Sequence, residues 1–280
     1  MSGRTTRVPP WFVGECLGTF ILVFFGCGSV ATAVLTGAQV GIFQVAIVWG
    51  IGIATAIYLT GSLSGAHLNP AVTVGFAVWS DFQWSMVPRY MAAQFAGAFL
   101  ASAALYGIYH GILGAYEVSH HIVRGGAGSE ATAMIFGEFF PNPGGRPLTD
   151  VARSTVTTKT AFLAEALGTG ILMLVILGSV DERNTSRPKA LTAVTVGLTI
   201  TILISLMGPV TMAAFNPARD LAPRLFSSLA GWGSVPFSVN GSGWLTVYVV
   251  APFTGAVVGG GIYRQLLAPG YASTDGSNGR

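Results

Sequence analysis

Two stretches of the sequence decide the fold: Ser64-Gly-Ala-His-Leu-Asn-Pro-Ala-Val-Thr73 and Gly208-Pro-Val-Thr-Met-Ala-Ala-Phe-Asn-Pro-Ala-Arg-Asp220. Each contains the triplet Asn-Pro-Ala. Asparagine is a favoured N-cap residue, and proline is favoured at the first helical position, so each triplet predicts a helix start. Both triplets lie in strongly hydrophobic surroundings. We therefore expect two short helices that begin at membrane depth.

The composition is typical of a membrane protein. The 280 residues are 51% hydrophobic and 9% charged, whereas soluble domains are about 25% charged. Six stretches reach or approach the ~20 apolar residues that cross a bilayer. They are residues 11–35, 41–59, 87–112, 161–180, 190–207 and 245–267. The sequence therefore predicts an all-α membrane protein with six transmembrane helices.

The two halves of the chain repeat each other. Glu15 lies 54 residues before Asn69, and Glu165, in a similar Glu-x-Leu-Gly-Thr context, lies 51 residues before Asn216. Each half holds three spans, so the second copy enters the membrane from the opposite side. Such inverted repeats place their functional site near the midplane, where broken helices meet.

The predicted half-helices, 69–78 and 216–229, are too short to cross. We predict one channel domain over 1–267, with repeats at about 11–112 and 160–267, and a disordered tail at 268–280. The glycine-rich third connection, 114–159, is expected to fold over the outer mouth.

Basic residues predict the orientation of the chain. They concentrate at the N-terminus, the second and fourth connections and the C-terminal end, all on one side of a six-span protein. The residues are Arg4, Arg7, Arg89, Arg183, Arg187, Lys189 and Arg264. The third connection holds Arg124, Arg146, Arg153 and Lys159, but long connections carry little weight in this rule. By the positive-inside rule both termini are cytoplasmic. We expect a multi-pass protein of the plasma membrane, from a bacterium, and nothing favours nucleic-acid binding.

The triplets also predict chemistry in a pore. An N-cap asparagine accepts from its own helix and keeps an amide NH2 that can donate into a lumen. Asn69 and Asn216 would be two such donors, each backed by a positive helix N-terminus that repels cations. Irregular backbone at this depth must line a cavity or be buried. Its predicted pore-lining residues are Gly65, Ala66, His67, Leu68, Met212, Ala214 and Phe215.

Four residues at predicted membrane depth have two interpretations each. Glu15 and Glu165 are predicted to accept hydrogen bonds from the two pore loops, and a proton relay is the alternative. His67 is predicted to pack beside Asn69, with a pH switch as the alternative. Arg219, a charge at membrane depth, marks a functional site by default, and a structural ion pair with Asp220 is the alternative.

The two quoted stretches resemble the pore loops of the major intrinsic protein (aquaporin) family, and the resemblance covers about Glu15 to Arg264. It implies a passive channel that assembles as a homotetramer with one pore per subunit and needs no cofactor or metal. It also implies that Pro70, Ala71, Pro217 and Ala218 complete the two motifs. The implied selectivity constriction consists of Trp49, Ile204, Ala213 and Arg219.

Within the family, the chain is most similar to the glycerol-facilitator branch. Trp49, Asp220 (a predicted loop-supporting residue), Arg224 and Pro252 carry this similarity. The branch typically has Gly and Phe where this sequence has Ile204 and Ala213. The set Trp49, Ile204, Ala213 and Arg219 resembles the nodulin-26-like branch instead, so a channel mainly for water or metalloid hydroxides is the alternative.

Other functional classes have less support. An ion-coupled transporter would need carboxylates at the midplane, where this chain has asparagine. An intramembrane hydrolase could use Ser64 and His67, but the nearby Gly-Ser-Leu-Ser-Gly places leucine at the centre of a nucleophile elbow. A metal site at His120 and His121 is disfavoured because adjacent side chains diverge. We predict a non-enzymatic channel for glycerol, other small uncharged solutes and water that excludes ions and protons.

Overall fold

The computed structural model describes residues 8–39 and 41–274, and this part of the chain is built from helices, without a strand. Eight helices organise it. They are α1 (Pro10–Thr36), α2 (Ile42–Ser64), α3 (Pro70–Trp79), α4 (Val87–Ser119), α5 (Thr158–Val180), α6 (Thr192–Thr211), α7 (Pro217–Ser227) and α8 (Gly243–Tyr271). Single turns of helix, such as Glu130–Ala133 and Asp150–Thr155, interrupt the connections.

Six of these helices, α1, α2, α4, α5, α6 and α8, are long and apolar enough to span a membrane. The predicted fold class is thereby confirmed. With an even number of spans, the first and last helices, α1 and α8, have their outer ends at one face, here called the terminal face, and the opposite face is the far face. Helices α3 and α7 have only 10 and 11 residues, too few to cross the membrane. Each therefore ends at the face from which the loop before it entered.

Several helix boundaries differ from the sequence-based expectation, and the end of α4 and the C-terminal end differ the most. Helix α4 continues to Ser119, through Gly114, and Leu113 and Glu117 of this last part are buried. Residues Ala268–Thr274 are helical, although the tail was expected to be disordered from 268. The rest of that predicted tail, 275–280, lies outside the described residues.

Glycines lie where the helices cross most closely, and the crossings repeat. On α4, a Cβ on Gly97 would lie 2.0 Å from the carbonyl oxygen of Cys16 in α1. On α8, a Cβ on Gly255 would lie 2.1 Å from the carbonyl oxygen of Ala166 in α5. Small residues let helix backbones approach in this way. The α1–α4 and α5–α8 pairs are therefore equivalent parts of the two repeats.

Candidate functional site

The two Asn-Pro-Ala triplets meet in the centre of the protein. Asn69 caps α3 by accepting from the N–H of Ala71, and Asn216 caps α7 by accepting from the N–H of Ala218. The amide of Asn69 donates to the carbonyl of Phe215 over 2.8 Å, and that of Asn216 donates to the carbonyl of Leu68 over 2.8 Å. Each amide thus uses one hydrogen across the repeat boundary, whereas the sequence analysis left both hydrogens free.

A buried carboxylate binds the loop that precedes each triplet. Glu15 accepts from the N–H groups of His67 and Leu68 over 2.9 and 2.8 Å. Glu165 accepts from those of Ala214 and Phe215 over 3.0 and 2.7 Å. Hydrogen bonds to a charged acceptor contribute about 1.5–3 kcal/mol each. Each glutamate thus binds two consecutive backbone N–H groups of one pore loop.

The loop backbone follows the same path in both repeats. Residues 65, 66 and 68 have positive φ values of 81°, 50° and 54°, and residues 212, 213 and 215 have values of 64°, 64° and 51°. Five of these six residues are not glycine, and a left-handed conformation costs such residues about 1–2 kcal/mol each. The carboxylates described above offset this strain.

A glycine socket accompanies each carboxylate, three residues further along the same helix. A Cβ on Gly18 would lie 2.4 Å from Cδ2 of Leu68, and a Cβ on Gly168 would lie 2.1 Å from Cε1 of Phe215. The side chain before each triplet therefore fits against a bare helix backbone. In each loop, the residue before the triplet is therefore held twice. Its N–H donates to the glutamate, and its side chain packs against the glycine.

Two cavities meet at the predicted constriction. One, of about 110 Å³, extends from there toward the terminal face and is lined by both triplet asparagines and by Gly65, Ala66, His67, Leu68, Ala214 and Phe215. The other, of about 250 Å³, opens toward the far face and is lined by Met212. Trp49, Ile204 and Arg219 border both cavities, and Ala213 borders the first. Every predicted pore-lining residue therefore borders this lumen.

At the constriction a cation faces an aromatic ring. The guanidinium carbon of Arg219 lies 4.5 Å from the centroid of the Trp49 ring. The indole itself lies against Gly26 of α1, where a Cβ would be 2.2 Å from Cε3 of Trp49. The narrow part therefore has an apolar ring and a set of fixed N–H donors next to each other in its wall.

Arg219 is held by the third connection, and not by Asp220. Its Nη2 lies 2.6 Å from Oε1 of Glu138, and its Nη1 donates to the carbonyl of Phe136 over 3.2 Å. Asp220 pairs instead with Arg224, one helical turn away, at 2.8 Å. The alternative of an Arg219–Asp220 ion pair is therefore wrong.

The third connection, residues 120–157, lies against α7 and closes one side of the far cavity. Asp220 accepts from the N–H of Glu138 over 2.7 Å, and Arg224 donates to the carbonyl of Glu138. Asn142 also donates to the carbonyl of Gly208 over 3.0 Å. The sequence analysis missed Glu138 and Phe136. A lone glutamate in an apolar stretch, residues 131–141, was the available signal.

Six spans, two half-helices that meet at their N-termini and a lumen narrowed by Trp49 and Arg219 define a membrane channel with the aquaporin architecture. The chain belongs to the major intrinsic protein family, whose profile matches residues 5–263.

Relatives with known names support the same assignment. The chain is 39% identical to the "Glycerol uptake facilitator protein" of Pseudomonas aeruginosa, with 94% of this chain and 92% of that protein covered. It is 40% identical to the protein of that name from Escherichia coli K12, with 94% and 90% covered. Human "Aquaporin-9" is 37% identical, with 91% and 81% covered.

A solved structure, that of the aquaglyceroporin from Plasmodium falciparum, superposes with a TM-score of 0.78 at 31% identity, covering 94% of this chain and 98% of that one. The predicted family is thereby confirmed, and the glycerol-facilitator relatives agree with the predicted branch.

Proposed function

We propose that the protein is a passive channel through which glycerol, other small uncharged solutes and water cross a membrane. The observation that carries this proposal is the constriction, where the Trp49 ring and the Arg219 guanidinium lie in contact, 4.5 Å apart, and both border the two cavities. The carbon backbone of a polyol can contact the apolar ring of Trp49. Its hydroxyl oxygens can accept hydrogen bonds from the guanidinium of Arg219. The names of the relatives support the same substrate class.

The proposed roles follow from the geometry. Arg219 donates to the oxygens of the permeating solute, and Trp49 contacts its carbon backbone, while Ile204 and Ala213 set the width. Deeper in the lumen, the second amide hydrogens of Asn69 and Asn216 donate to the solute. The N-termini of α3 and α7 point at this place and repel cations and protons. No bond is made or broken in this proposal, so the protein is proposed not to be an enzyme.

A channel mainly for water or metalloid hydroxides is the second candidate. The side chain of Ile204 favours it, because a β-branched residue borders both cavities at the narrow part. An ion-coupled transporter is a distant alternative. It predicts uptake that depends on a Na⁺ or H⁺ gradient, whereas a passive channel does not.

Stopped-flow light scattering on proteoliposomes tests these candidates. We expect shrinkage in sucrose and re-swelling in glycerol to be faster than in empty liposomes, with no effect of an imposed ion gradient. Rapid water flux without glycerol re-swelling would overturn the glycerol proposal and favour the second candidate. Dependence on an ion gradient would overturn the channel.

We further propose a homotetramer in the plasma membrane with both termini in the cytoplasm. The basic residues Arg89, Arg183, Arg187 and Lys189 near the terminal face support this orientation. Native mass spectrometry in detergent should give four times the 29.0 kDa mass of the chain. A monomer or dimer under conditions that preserve glycerol flux would contradict the assembly and leave the channel proposal intact.

A further inference from the structure

Two buried tyrosines occupy equivalent places in the two repeats, outside the lumen. Tyr90 of α4 and Tyr248 of α8 are 5% and 0% exposed. Each lies seven residues before the glycine at which its helix crosses α1 or α5 most closely, Gly97 and Gly255. Neither tyrosine borders either cavity of the lumen. Any part that they have in the passage of a solute is therefore indirect.

Each tyrosine hydroxyl binds the point where a pore loop begins. The hydroxyl of Tyr90 donates to the carbonyl of Ser64 over 2.9 Å, and that of Tyr248 donates to the carbonyl of Thr211 over 3.1 Å. Ser64 and Thr211 are the last residues of α2 and α6. The last carbonyls of a helix have no partner within that helix. Each tyrosine therefore supplies a donor from another span to the carbonyl at the start of a loop.

The side chains of Ser64 and Thr211 continue this connection into the loops. The hydroxyl of Ser64 accepts from the N–H of Ala66 over 3.1 Å, and that of Thr211 accepts from the N–H of Ala213 over 3.2 Å. The residue that the tyrosine holds by its carbonyl thus holds the loop by its hydroxyl. A displacement at the start of the loop is therefore passed on to the residues that follow.

Each pore loop is thus fixed at both ends, by the tyrosine at its start and by the glutamate at its last two residues. The loops consist of residues 65–68 and 212–215, and all eight residues border the lumen. Six of the eight have positive φ values. Strained backbone of this kind persists only where the surroundings fix it. A loop held by the glutamate alone would therefore relax, and the wall of the lumen would move with it.

We propose that Tyr90 and Tyr248 are positioning residues for solute passage: each hydroxyl fixes the start of a pore loop and thereby the part of the lumen wall that the solute contacts. This inference rests on the proposed channel function. A polyol contacts several loop residues at once, whereas a water molecule contacts fewer. Loss of a tyrosine hydroxyl should therefore slow glycerol more than water.

The two sites differ in burial, and this difference predicts an order of effects. Thr211 is 0% exposed, so removal of the Tyr248 hydroxyl leaves its carbonyl without a donor. Ser64 is partly exposed near the terminal face, so water can replace the hydroxyl of Tyr90. We therefore expect the larger effect at Tyr248.

The test measures glycerol and water permeability in the same proteoliposomes, with the empty-liposome rates subtracted. The ratio of the two permeabilities does not depend on how many channels are folded, so a change in the ratio reports on the lumen and not on the amount of protein. Tyr248 is replaced in three ways. Phenylalanine lacks the hydroxyl, 4-fluorophenylalanine nearly fills its space without a donor, and 4-aminophenylalanine keeps a donor at the same position.

Tyr116→Phe is the matched control. Tyr116 lies on α4, and its hydroxyl also donates to a backbone carbonyl, that of Gly145, over 2.9 Å. Neither of these residues borders the lumen, and Gly145 belongs to the third connection. The control therefore removes the same kind of hydrogen bond without touching a pore loop.

We expect Tyr248→Phe to lower the ratio of glycerol to water permeability about fivefold, an effect of the size that the loss of one hydrogen bond produces. The fluorinated residue should give the same low ratio, 4-aminophenylalanine should restore most of the wild-type ratio, and Tyr116→Phe should leave it unchanged. An unchanged ratio in Tyr248→Phe, even with both permeabilities reduced, or restoration by fluorine would overturn the inference. Failure of the wild-type protein to conduct glycerol would instead overturn the proposed function.

The same three replacements at Tyr90 decide the question if Tyr248→Phe does not assemble. Because water can reach the carbonyl of Ser64, we expect the ratio to fall only about twofold in Tyr90→Phe and to recover with 4-aminophenylalanine. An unchanged ratio in Tyr90→Phe would then overturn the inference.

Discussion

The width of the lumen at its narrowest point depends on a few side chains, and Ile204 is the bulkiest aliphatic one among them. We predict that Ile204→Gly raises glycerol permeability several-fold and water permeability by less, because the removed side chain widens the slot for the larger solute. Ile202→Gly is the matched control: Ile202 lies on the same helix but is 59% exposed on its outer surface. Stopped-flow measurements on both variants check this. Equal effects of the two substitutions would show that Ile204 does not narrow the lumen.

The Arg219–Glu138 pair couples stability to selectivity. Removing one member leaves the other charge buried, which costs about 3–5 kcal/mol. We predict that Arg219→Leu lowers the thermal unfolding temperature in detergent and that Arg219→Leu with Glu138→Leu recovers most of it. In proteoliposomes that contain a pH-sensitive dye, both variants should leak protons more than the wild type. Additive losses of stability in the double variant would contradict the coupling.

Among the helices, α5 positions the second pore loop through the Gly168 socket. We predict that Gly168→Ala displaces Phe215, whose carbonyl accepts from Asn69, and lowers glycerol flux and stability, the latter by about 1–3 kcal/mol. Adding Phe215→Ala should restore part of both, because it makes room for the new methyl group. Gly178→Ala on the same helix is the control, since its Cβ would lie 3.8 Å from its nearest neighbour. If the double variant has no higher glycerol flux and no higher stability than Gly168→Ala, Gly168 does not accommodate the Phe215 side chain in the way proposed.

The carboxylate of Asp181 joins the connection after α5 to helix α8. Hydrogen bonds from Arg183, 2.7 Å away, and then from Tyr263 of α8 hold the pKa of Asp181 well below its usual value. Because the pKa of this carboxyl is lower in the folded protein than in the unfolded chain, its ionised form stabilises the fold. This stabilisation is complete at pH values above the unfolded-chain pKa of about 3.9, and it is lost as the pH falls below that value.

We therefore predict that Asp181→Asn lowers the unfolding temperature at pH 7 and makes it less dependent on pH between about 4 and 2. Thermal scans in detergent check this, and Asp81→Asn, at an exposed residue of another connection near the same face, should change little. An unchanged acid dependence in Asp181→Asn would show that this carboxylate does not stabilise the fold.

For the whole molecule, the orientation in the membrane is the property to test. Ala38 is exposed at the far face and Ser186 is exposed at the terminal face. We predict that an impermeant maleimide labels Ala38→Cys in intact cells and labels Ser186→Cys only after permeabilisation. The unmodified chain, with Cys16 and Cys27, gives the background. The reverse pattern would invert the proposed orientation and leave the fold unchanged.

The sequence by itself determined the six spans, the two half-helices and the inverted repeat, because hydropathy, segment length and Asn-Pro-Ala helix starts act locally along the chain. It also indicated the family and the residues that border the lumen, and the comparisons confirm the family and the solute channel. Roles for individual residues stay predictions, although the lumen brings Trp49, Ile204, Ala213 and Arg219 together.

Only the tertiary structure decided which partners these residues have. Glu138 is separated from Arg219 by 81 positions, and Gly26 from Trp49 by 23, so no local pattern predicts that they touch. The crossed hydrogen bonds of Asn69 and Asn216 likewise exist only when the two repeats have packed together. Short-range rules predict which segments are helical, whereas the exact helix ends and the contacts between helices are properties of the assembled structure.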